Sequence, residues 1–224
     1  MRKGSSEEFK QVSTLVDLLR FRATHQLEST AYQFLADGDV ETAAITYGEL
    51  DRATRAVSTL LQGLNCQGKP VLLLYPPGLD YIVAFFGCVY AGAIAVPAYP
   101  PRPNRSLERL QVMIADAGAQ VALTHSTVLR GLERRFSECP ALKKLQWLAT
   151  DNIDRSLAED WAYPAISVDA LALLQYTSGS TGTPKGVQVS HGNLIHNSAR
   201  IYQFFGHSEA SRGVSWLPPY HDMG

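Results

Sequence analysis

Small hydroxyl residues, glycines and one lysine are packed into the run YTSGSTGTPKG at residues 176–186. Glycine lets the backbone approach an anion closely, because it has no Cβ and adopts positive φ freely. Successive N–H groups in such a loop form an anion-binding concavity, and a lysine adds a point charge. The run therefore predicts a loop that grips a polyphosphate through its backbone, through Lys185 and through the hydroxyls of Thr177, Ser178, Ser180 and Thr181.

This run differs from the two commonest phosphate motifs. A Walker A loop has four residues between its first glycine and the Gly-Lys pair, and Ser or Thr follows the lysine. Here Gly179 and Gly182 are too close together, and Gly186 follows Lys185. The loop also lacks the Gly-x-Gly of the dinucleotide fingerprint. A flexible turn is the alternative interpretation, and the ordered Pro184-Lys185-Gly186 ending disfavours it.

The composition bounds the possible functions. The chain has 224 residues, of which 46% are hydrophobic and 18% charged, and its formal net charge is -1. These values favour a well-buried α/β core and disfavour disorder. No broad basic field is available to attract nucleic acid or anionic lipid. The three unpatterned cysteines and the absence of an apolar leader at the N-terminus predict a cytoplasmic protein.

Apolar periodicity predicts strands that alternate with helices. This alternation predicts an α/β fold in which a layered, largely parallel sheet is flanked by helices. The glycine loop follows a predicted strand, and ligands of such sheets bind beyond the carboxyl ends of strands. The predicted strands cover residues 31–35, 43–47, 71–75, 93–96, 121–124, 145–149, 171–176, 186–189 and 214–217. The predicted helices cover residues 11–28, 79–91, 128–136 and the segments opened by Thr46, Ser106 and Ser190.

Three further local predictions concern less regular parts of the chain. Residues 81–99 carry no charge and approach the length of a membrane span, but Gly92 and Pro97 interrupt them, so we expect a buried helix and strand instead. Residues 150–165 are acidic and predict a long irregular connection. His191 and His196 lack the i, i+4 spacing of a metal pair and are expected to be capping or surface residues.

These motifs together resemble those of a known family. YTSGSTGTPKGV is similar to the phosphate-loop signature of the adenylate-forming, or AMP-binding, enzymes. WLPPYHDMG at residues 216–224 resembles the aromatic–His motif of their acyl-activating branch, most closely that of fatty acyl-AMP ligases. VLLLYPPG at residues 71–78 and VPAYPPR at residues 96–102 also resemble that branch. The resemblance extends from about residue 15 to residue 224.

The resemblance implies a reaction in two steps. ATP and a fatty acid would give an acyl-adenylate and pyrophosphate, and the acyl group would then pass to a thiol. In acyl-AMP ligases that thiol belongs to the phosphopantetheine of an acyl carrier protein, whereas in acyl-CoA synthetases it is CoA. Mg²⁺ would accompany ATP, and its carboxylate ligand would lie outside this chain.

The resemblance also implies roles for individual residues. The residues that would surround the β- and γ-phosphates are Thr177, Ser178, Gly179, Ser180, Thr181 and Gly182. Lys185 would neutralise charge nearby. His221 would lie beside the acyl carboxylate and the α-phosphate, which makes Lys185 and His221 the expected catalytic residues. Asp222 would either orient His221 or cap the next element. No metal ligand is expected within the chain.

Segments that the family places later in its sequence are absent from these residues. They include the magnesium-binding segment, the aspartate for the ribose hydroxyls, the hinge, and the C-terminal lid with its adenylation lysine. We therefore expect residues 1–224 to be the N-terminal portion of a larger acyl-activating domain.

Alternative functions stay open at this point. An acyl-CoA synthetase segment is the second possibility, and a non-catalytic interaction module, in which the glycine loop is dispensable, is the third. Amino-acid adenylation is disfavoured, because that branch usually has Phe-Asp where this sequence has His221-Asp222.

The missing segments generate a first testable prediction. The 224-residue chain by itself should catalyse no ATP–pyrophosphate exchange, because it lacks the lid lysine and the magnesium ligand. Exchange of labelled pyrophosphate into ATP measures this, with Lys185→Ala as the background. Turnover well above that variant would contradict the prediction.

Overall fold

The structure is a computed structural model that describes residues 12–101, 106–177, 184–208 and 210–220. The strands are β1 (Thr30–Leu35), β2 (Glu41–Thr46), β3 (Pro70–Leu74), β4 (Ile94–Ala98), β5 (Val121–Thr124), β6 (Gln146–Ala149), β7 (Leu171–Thr177) and β8 (Lys185–Ser190). The helices are α1 (Leu15–His25), α2 (Tyr47–Gly63), α3 (Leu79–Tyr90), α4 (Glu108–Ala117), α5 (Ser126–Glu133), α6 (Pro140–Lys144) and α7 (His191–Phe204), and a 3₁₀ helix covers Arg155–Asp160.

The main sheet has six strands in the order β6-β5-β3-β4-β7-β8. The first five strands in that order are parallel, and β8 returns antiparallel to β7 as a hairpin. The central strand β3 is a continuous apolar run, and Val71–Leu74 are fully buried. A strand that is covered on both faces can be apolar at every position, which is why its sequence shows no alternation. The predicted largely parallel α/β sheet is confirmed.

Helices cover both faces of this sheet, and successive residues of β3 point to opposite sides. Leu73 packs into a core with Leu61 of α2 and Cys88 of α3. Leu72 packs into a second core with Met113 of α4 on the other face. Because side chains alternate along a strand, one strand contributes to both layers. The expected layered architecture follows directly from this alternation.

The β1–β2 hairpin and α1 form a smaller layer beside α2 and α3. Their apolar side chains share a third core, which includes Leu19, Ile45 and Leu50. The predicted capping box at the start of α2 is confirmed, because the Thr46 hydroxyl accepts a hydrogen bond from the Glu49 N–H and the Glu49 carboxylate accepts one from the Thr46 N–H. This arrangement satisfies N–H groups that the helix itself leaves unpaired.

The uncharged stretch at residues 81–99 is a helix followed by a strand. The helix α3 has 12 residues, and Gly92 then adopts φ 66° before β4 begins. Among the described residues, no helix is long and apolar enough to cross a membrane. The prediction that this stretch forms a helix and a strand, and not a membrane span, is confirmed.

Two predictions about local structure are wrong. Residues 214–217 form no strand, and the side chains of Val214 and Trp216 are 86% and 90% exposed. An apolar run becomes a strand only where a neighbouring strand offers a ladder, and no described strand pairs with this run. The helix α4 begins at Glu108 after Leu107 as its capping residue, although the Ser106 hydroxyl still accepts a hydrogen bond from the Glu108 N–H at 3.1 Å.

His191 is neither a capping nor a surface residue, which corrects the prediction. Ser190 caps α7, as predicted, and His191 is the first residue of that helix. The imidazole is fully buried against α1, where its Nδ1 accepts a hydrogen bond from the Leu15 N–H at 3.4 Å. Nε2 has no hydrogen-bond partner in the described part of the chain. Burial lowers the pKa of His191, although the Asp17 carboxylate raises it in part.

The buried imidazole predicts a loss of stability in mild acid. The pKa of His191 is lower in the folded protein than in the unfolded chain, whose pKa is about 6.5. The unfolded chain therefore binds more protons there as the pH falls through that value, and the free energy of unfolding should decrease. Urea unfolding from about pH 8 to pH 5 measures the slope. His191→Gln should flatten it, whereas His196→Gln, which replaces an exposed histidine of the same helix, should not. Equal slopes in the two variants would contradict the prediction.

Candidate active site

The carboxyl ends of the parallel strands form one edge of the main sheet. Tyr75 follows β3, Tyr99 follows β4 and His125 follows β5. The strand order places β4 on one side of β3 and β5 on the other, and the connecting helices α3 and α4 pack on opposite faces. A crevice opens where successive connections leave a sheet on opposite faces, and ligands of open α/β sheets bind there. This topological switch point lies at the ends of β3 and β4.

The glycine loop connects β7 to β8 at the same edge. Thr177 pairs with Lys185 across the hairpin, and Tyr176 pairs with Gly186. Thr177 is partly exposed and Lys185 is exposed, so both ends of the loop are accessible. The remaining predicted phosphate-binding residues, Ser178, Gly179, Ser180, Thr181 and Gly182, lie outside the described residues.

The loop begins one strand away from the switch point. Ala95 of β4 pairs with Leu173 of β7 in parallel register. Tyr99 and Thr177 each lie four residues further along, so they are level with each other on neighbouring strands. Neighbouring strands are about 4.8 Å apart. The register therefore places the start of the glycine loop beside the residue that follows β4.

Tyr220, the residue before His221, packs at the switch point. Its side chain is 7% exposed. Its ring meets the ring of Tyr99 edge-to-face at a centroid distance of 4.8 Å and that of Tyr81, in the first turn of α3, at 5.8 Å. Such aromatic pairs each contribute about 0.5–1.5 kcal/mol beyond the area they bury. These contacts hold the chain at the crevice immediately before His221, which itself lies outside the described residues.

Tyr176 connects the hairpin to α4. Its hydroxyl donates a hydrogen bond to Oδ2 of Asp116 at 2.5 Å, and its ring lies over Gly186. Burial raises the pKa of Tyr176, and the hydrogen bond to the Asp116 carboxylate and the charge of that carboxylate raise it further. The phenol is therefore protonated and donates at neutral pH. The sequence indicated Tyr176 only as part of the loop signature and gave no signal for Asp116, which lies on an exposed helix position.

A polar cluster follows β5 and β6, and sequence reasoning missed it. His125 Nε2 lies 3.8 Å from an Asp80 carboxylate oxygen and 3.6 Å from one of Asp151. Asp151 also accepts hydrogen bonds from the N–H and hydroxyl of Ser126, at 2.8 Å and 2.7 Å. Burial raises the pKa of Asp151, but these hydrogen bonds outweigh it and hold that pKa below its usual range. The cluster secures the start of α5, since Ser126 is the first residue of that helix.

The chain matches the family model described as AMP-binding enzyme over residues 19–224. It belongs to this family. The sequence is 43% identical over 218 residues to the medium-chain-fatty-acid–acyl-carrier-protein ligase JamA of Moorena producens, an alignment that covers 96% of this chain and 37% of JamA. It is also 34% identical over 226 residues to a long-chain-fatty-acid–AMP ligase of Mycolicibacterium smegmatis, which covers 99% of this chain and 36% of that ligase.

The fold is similar to that of a solved family member. The fatty acyl-adenylate ligase from L. pneumophila, crystallised with acyl adenylate and pyrophosphate, superposes with a TM-score of 0.88 at 36% identity, over 100% of this chain and 38% of that one. The predicted membership of the adenylate-forming enzymes and the resemblance to fatty acyl-AMP ligases are both confirmed. The chain spans little more than a third of the length of these relatives.

Proposed function

We propose that this chain is the N-terminal part of a ligase that activates a fatty acid with ATP, forming an acyl-adenylate and pyrophosphate. The observation that carries the proposal is the register of the sheet. It places Thr177 and Lys185 opposite each other at the carboxyl edge, one strand from the crevice where Tyr220 packs. Membership of the AMP-binding family is the reason for assigning ATP-dependent adenylation to this arrangement.

The chemical task of such a site is to hold a triphosphate and a carboxylate in line. The carboxylate oxygen attacks the α-phosphorus, the bond from that phosphorus to the bridging oxygen breaks, and negative charge moves onto pyrophosphate. Lys185 would offset that charge from the start of β8, and Thr177 would add a hydroxyl donor from the end of β7. Fixed donors are effective here because they need no rearrangement as the charge moves. His221, beyond Tyr220, would lie between the acyl carboxylate and the α-phosphate.

Magnesium is implied by the family, and we expect its carboxylate ligand to lie outside residues 1–224. Within the described ranges, no group of three or more His, Cys, Asp or Glu side chains converges as a metal site.

The role of Lys185 can be tested in the complete ligase. Lys185→Ala should lower ATP–pyrophosphate exchange by about 10²- to 10³-fold, the usual cost of removing one group that stabilises developing charge. Lys143→Ala is a matched control, because Lys143 is an exposed lysine of α6, next to β6, the edge strand on the far side of the sheet from β8. An equal loss in the two variants, or no loss in Lys185→Ala, would refute the proposed role.

We also propose that the acyl acceptor is the phosphopantetheine thiol of an acyl carrier protein. JamA, the relative at 43% identity, is named for transfer to such a carrier. The complete ligase should release AMP and acylate the carrier when offered holo-carrier protein, and it should form acyl-CoA at least tenfold more slowly when offered CoA. Carrier protein without phosphopantetheine is the control. Preferential formation of acyl-CoA would identify an acyl-CoA synthetase instead.

A further inference from the structure

We propose that Tyr176 is a positioning residue that sets where Lys185 lies, acting through its ring contact with Gly186 and its hydrogen bond to Asp116. The inference rests on the proposed function, since it concerns the lysine assigned to the phosphates of ATP. It goes beyond that function, because it assigns a role to Asp116, a side chain outside both sequence motifs.

The pairing of the hairpin places Tyr176 one pair away from Lys185, the residue that precedes Gly186 in β8. Tyr176 is opposite Gly186, and the next pair is Thr177 with Lys185. Gly186 has no side chain, so the tyrosine ring lies against its backbone. A Cβ placed on Gly186 would be 3.0 Å from Cζ of the ring, which is closer than ordinary packing allows. The ring therefore fixes the backbone of β8 at the residue next to Lys185.

The Tyr176 hydroxyl is hydrogen-bonded to Asp116 of α4. Asp116 is near the end of a helix whose apolar side chains, including Met113 and Ile114, are buried in the core between α4 and the sheet. The helix ends at Gly118, which adopts φ 66°. These buried side chains attach α4 to the face of the sheet. The 2.5 Å bond from Tyr176 to Asp116 therefore transmits the position of α4 to the hairpin.

Tyr176, Asp116 and Lys185 also border one open cavity. This cavity of about 640 Å³ reaches from the end of α4 and the β7–β8 hairpin to the starts of β3 and β4 at Pro70 and Ile94. The Tyr176 side chain is buried, at 7% exposure. Lys185 is exposed and makes no ion pair among the described residues. Its position is thus set by the backbone of β8, which the Tyr176 ring contacts at Gly186.

Kinetics of the complete ligase distinguish positioning from simple stabilisation of the fold. Tyr176→Phe removes the hydroxyl and keeps the ring, and it should raise the KM for ATP about 5- to 10-fold through loss of a hydrogen bond to a charged group. The KM for the fatty acid should stay within about twofold, because the residue that we assign to the acyl carboxylate, His221, follows Tyr220 in the chain and does not belong to the β7–β8 hairpin. Tyr202→Phe, which removes the hydroxyl of an exposed tyrosine on α7, is the matched control.

Variants of Asp116 test the same bond without altering the core, because this side chain is exposed. Asp116→Ala should reproduce the effect of Tyr176→Phe on the KM for ATP. Asp116→Asn keeps an oxygen acceptor and should restore most of the affinity. The double variant Tyr176→Phe/Asp116→Ala should be no worse than either single variant, because the two changes remove one interaction.

The outcomes separate this inference from the proposed function. If Lys185→Ala lowers exchange but Tyr176→Phe and Asp116→Ala leave the KM for ATP unchanged, the positioning role is wrong and the proposed function stands. If both substrates show the same rise in KM, or if only the melting temperature changes, the pair is structural and the inference is overturned. If Lys185→Ala has no effect, the proposed function fails, and this inference fails with it.

Discussion

The antiparallel register of β7 and β8 is the constraint on which the candidate site depends. It places Thr177 opposite Lys185 and leaves the glycine loop between them. Side chains alternate along a strand, so a slip of one residue would turn Lys185 to the other face of the sheet. The same slip would move Gly186 from under the ring of Tyr176 and replace it by a residue with a side chain. The close ring contact at Gly186 therefore opposes such a slip.

The hairpin in turn takes its position from the buried centre of the sheet. β7 pairs with β4, and β4 pairs with β3, whose residues Val71–Leu74 are fully buried. Displacing β7 along β4 would break ladder hydrogen bonds and expose apolar side chains on both faces. The carboxyl edge is accordingly the part of the sheet where loops can carry polar groups, while the strands behind it keep those groups in register. The packing of the buried strands therefore also sets the position of the candidate site.

The sequence predicted those elements whose signals are local. Apolar runs indicated the central strands, and capping residues such as Thr46 and Ser190 marked helix starts correctly. His191 was misjudged because its burial depends on α1, which is more than 150 residues earlier in the chain. Residues 214–217 have the pattern of a strand, but a strand also requires a partner, which pattern alone does not supply.

The 3₁₀ helix within residues 150–165 shows a similar limit. Arg155–Asp160 has no apolar period because it is short, yet Ala158 is buried. Side chains of α2 donate hydrogen bonds to its carbonyls, from Arg55 to Ala158 at 2.9 Å and from Thr59 to Leu157 at 2.8 Å. Contacts of this kind join residues about 100 positions apart. The hydrogen bond from Tyr176 to Asp116 joins residues 60 positions apart. Within the candidate site, the sequence showed the loop signature. It gave no sign of Asp116, whose carboxylate accepts the hydrogen bond from Tyr176.

Two unrelated kinds of interaction bring the halves of the site to one edge. The ends of the glycine loop are placed by backbone hydrogen bonds, which fix position along the strand direction. Tyr220 is placed by aromatic contacts with Tyr81 and Tyr99, which depend on apolar burial. Neither interaction uses the Thr177 hydroxyl or the Lys185 ammonium group, so the edge is held together without them. Because a chain with a net charge of only -1 has no broad basic surface, the triphosphate binding that we propose depends on local donors such as Lys185.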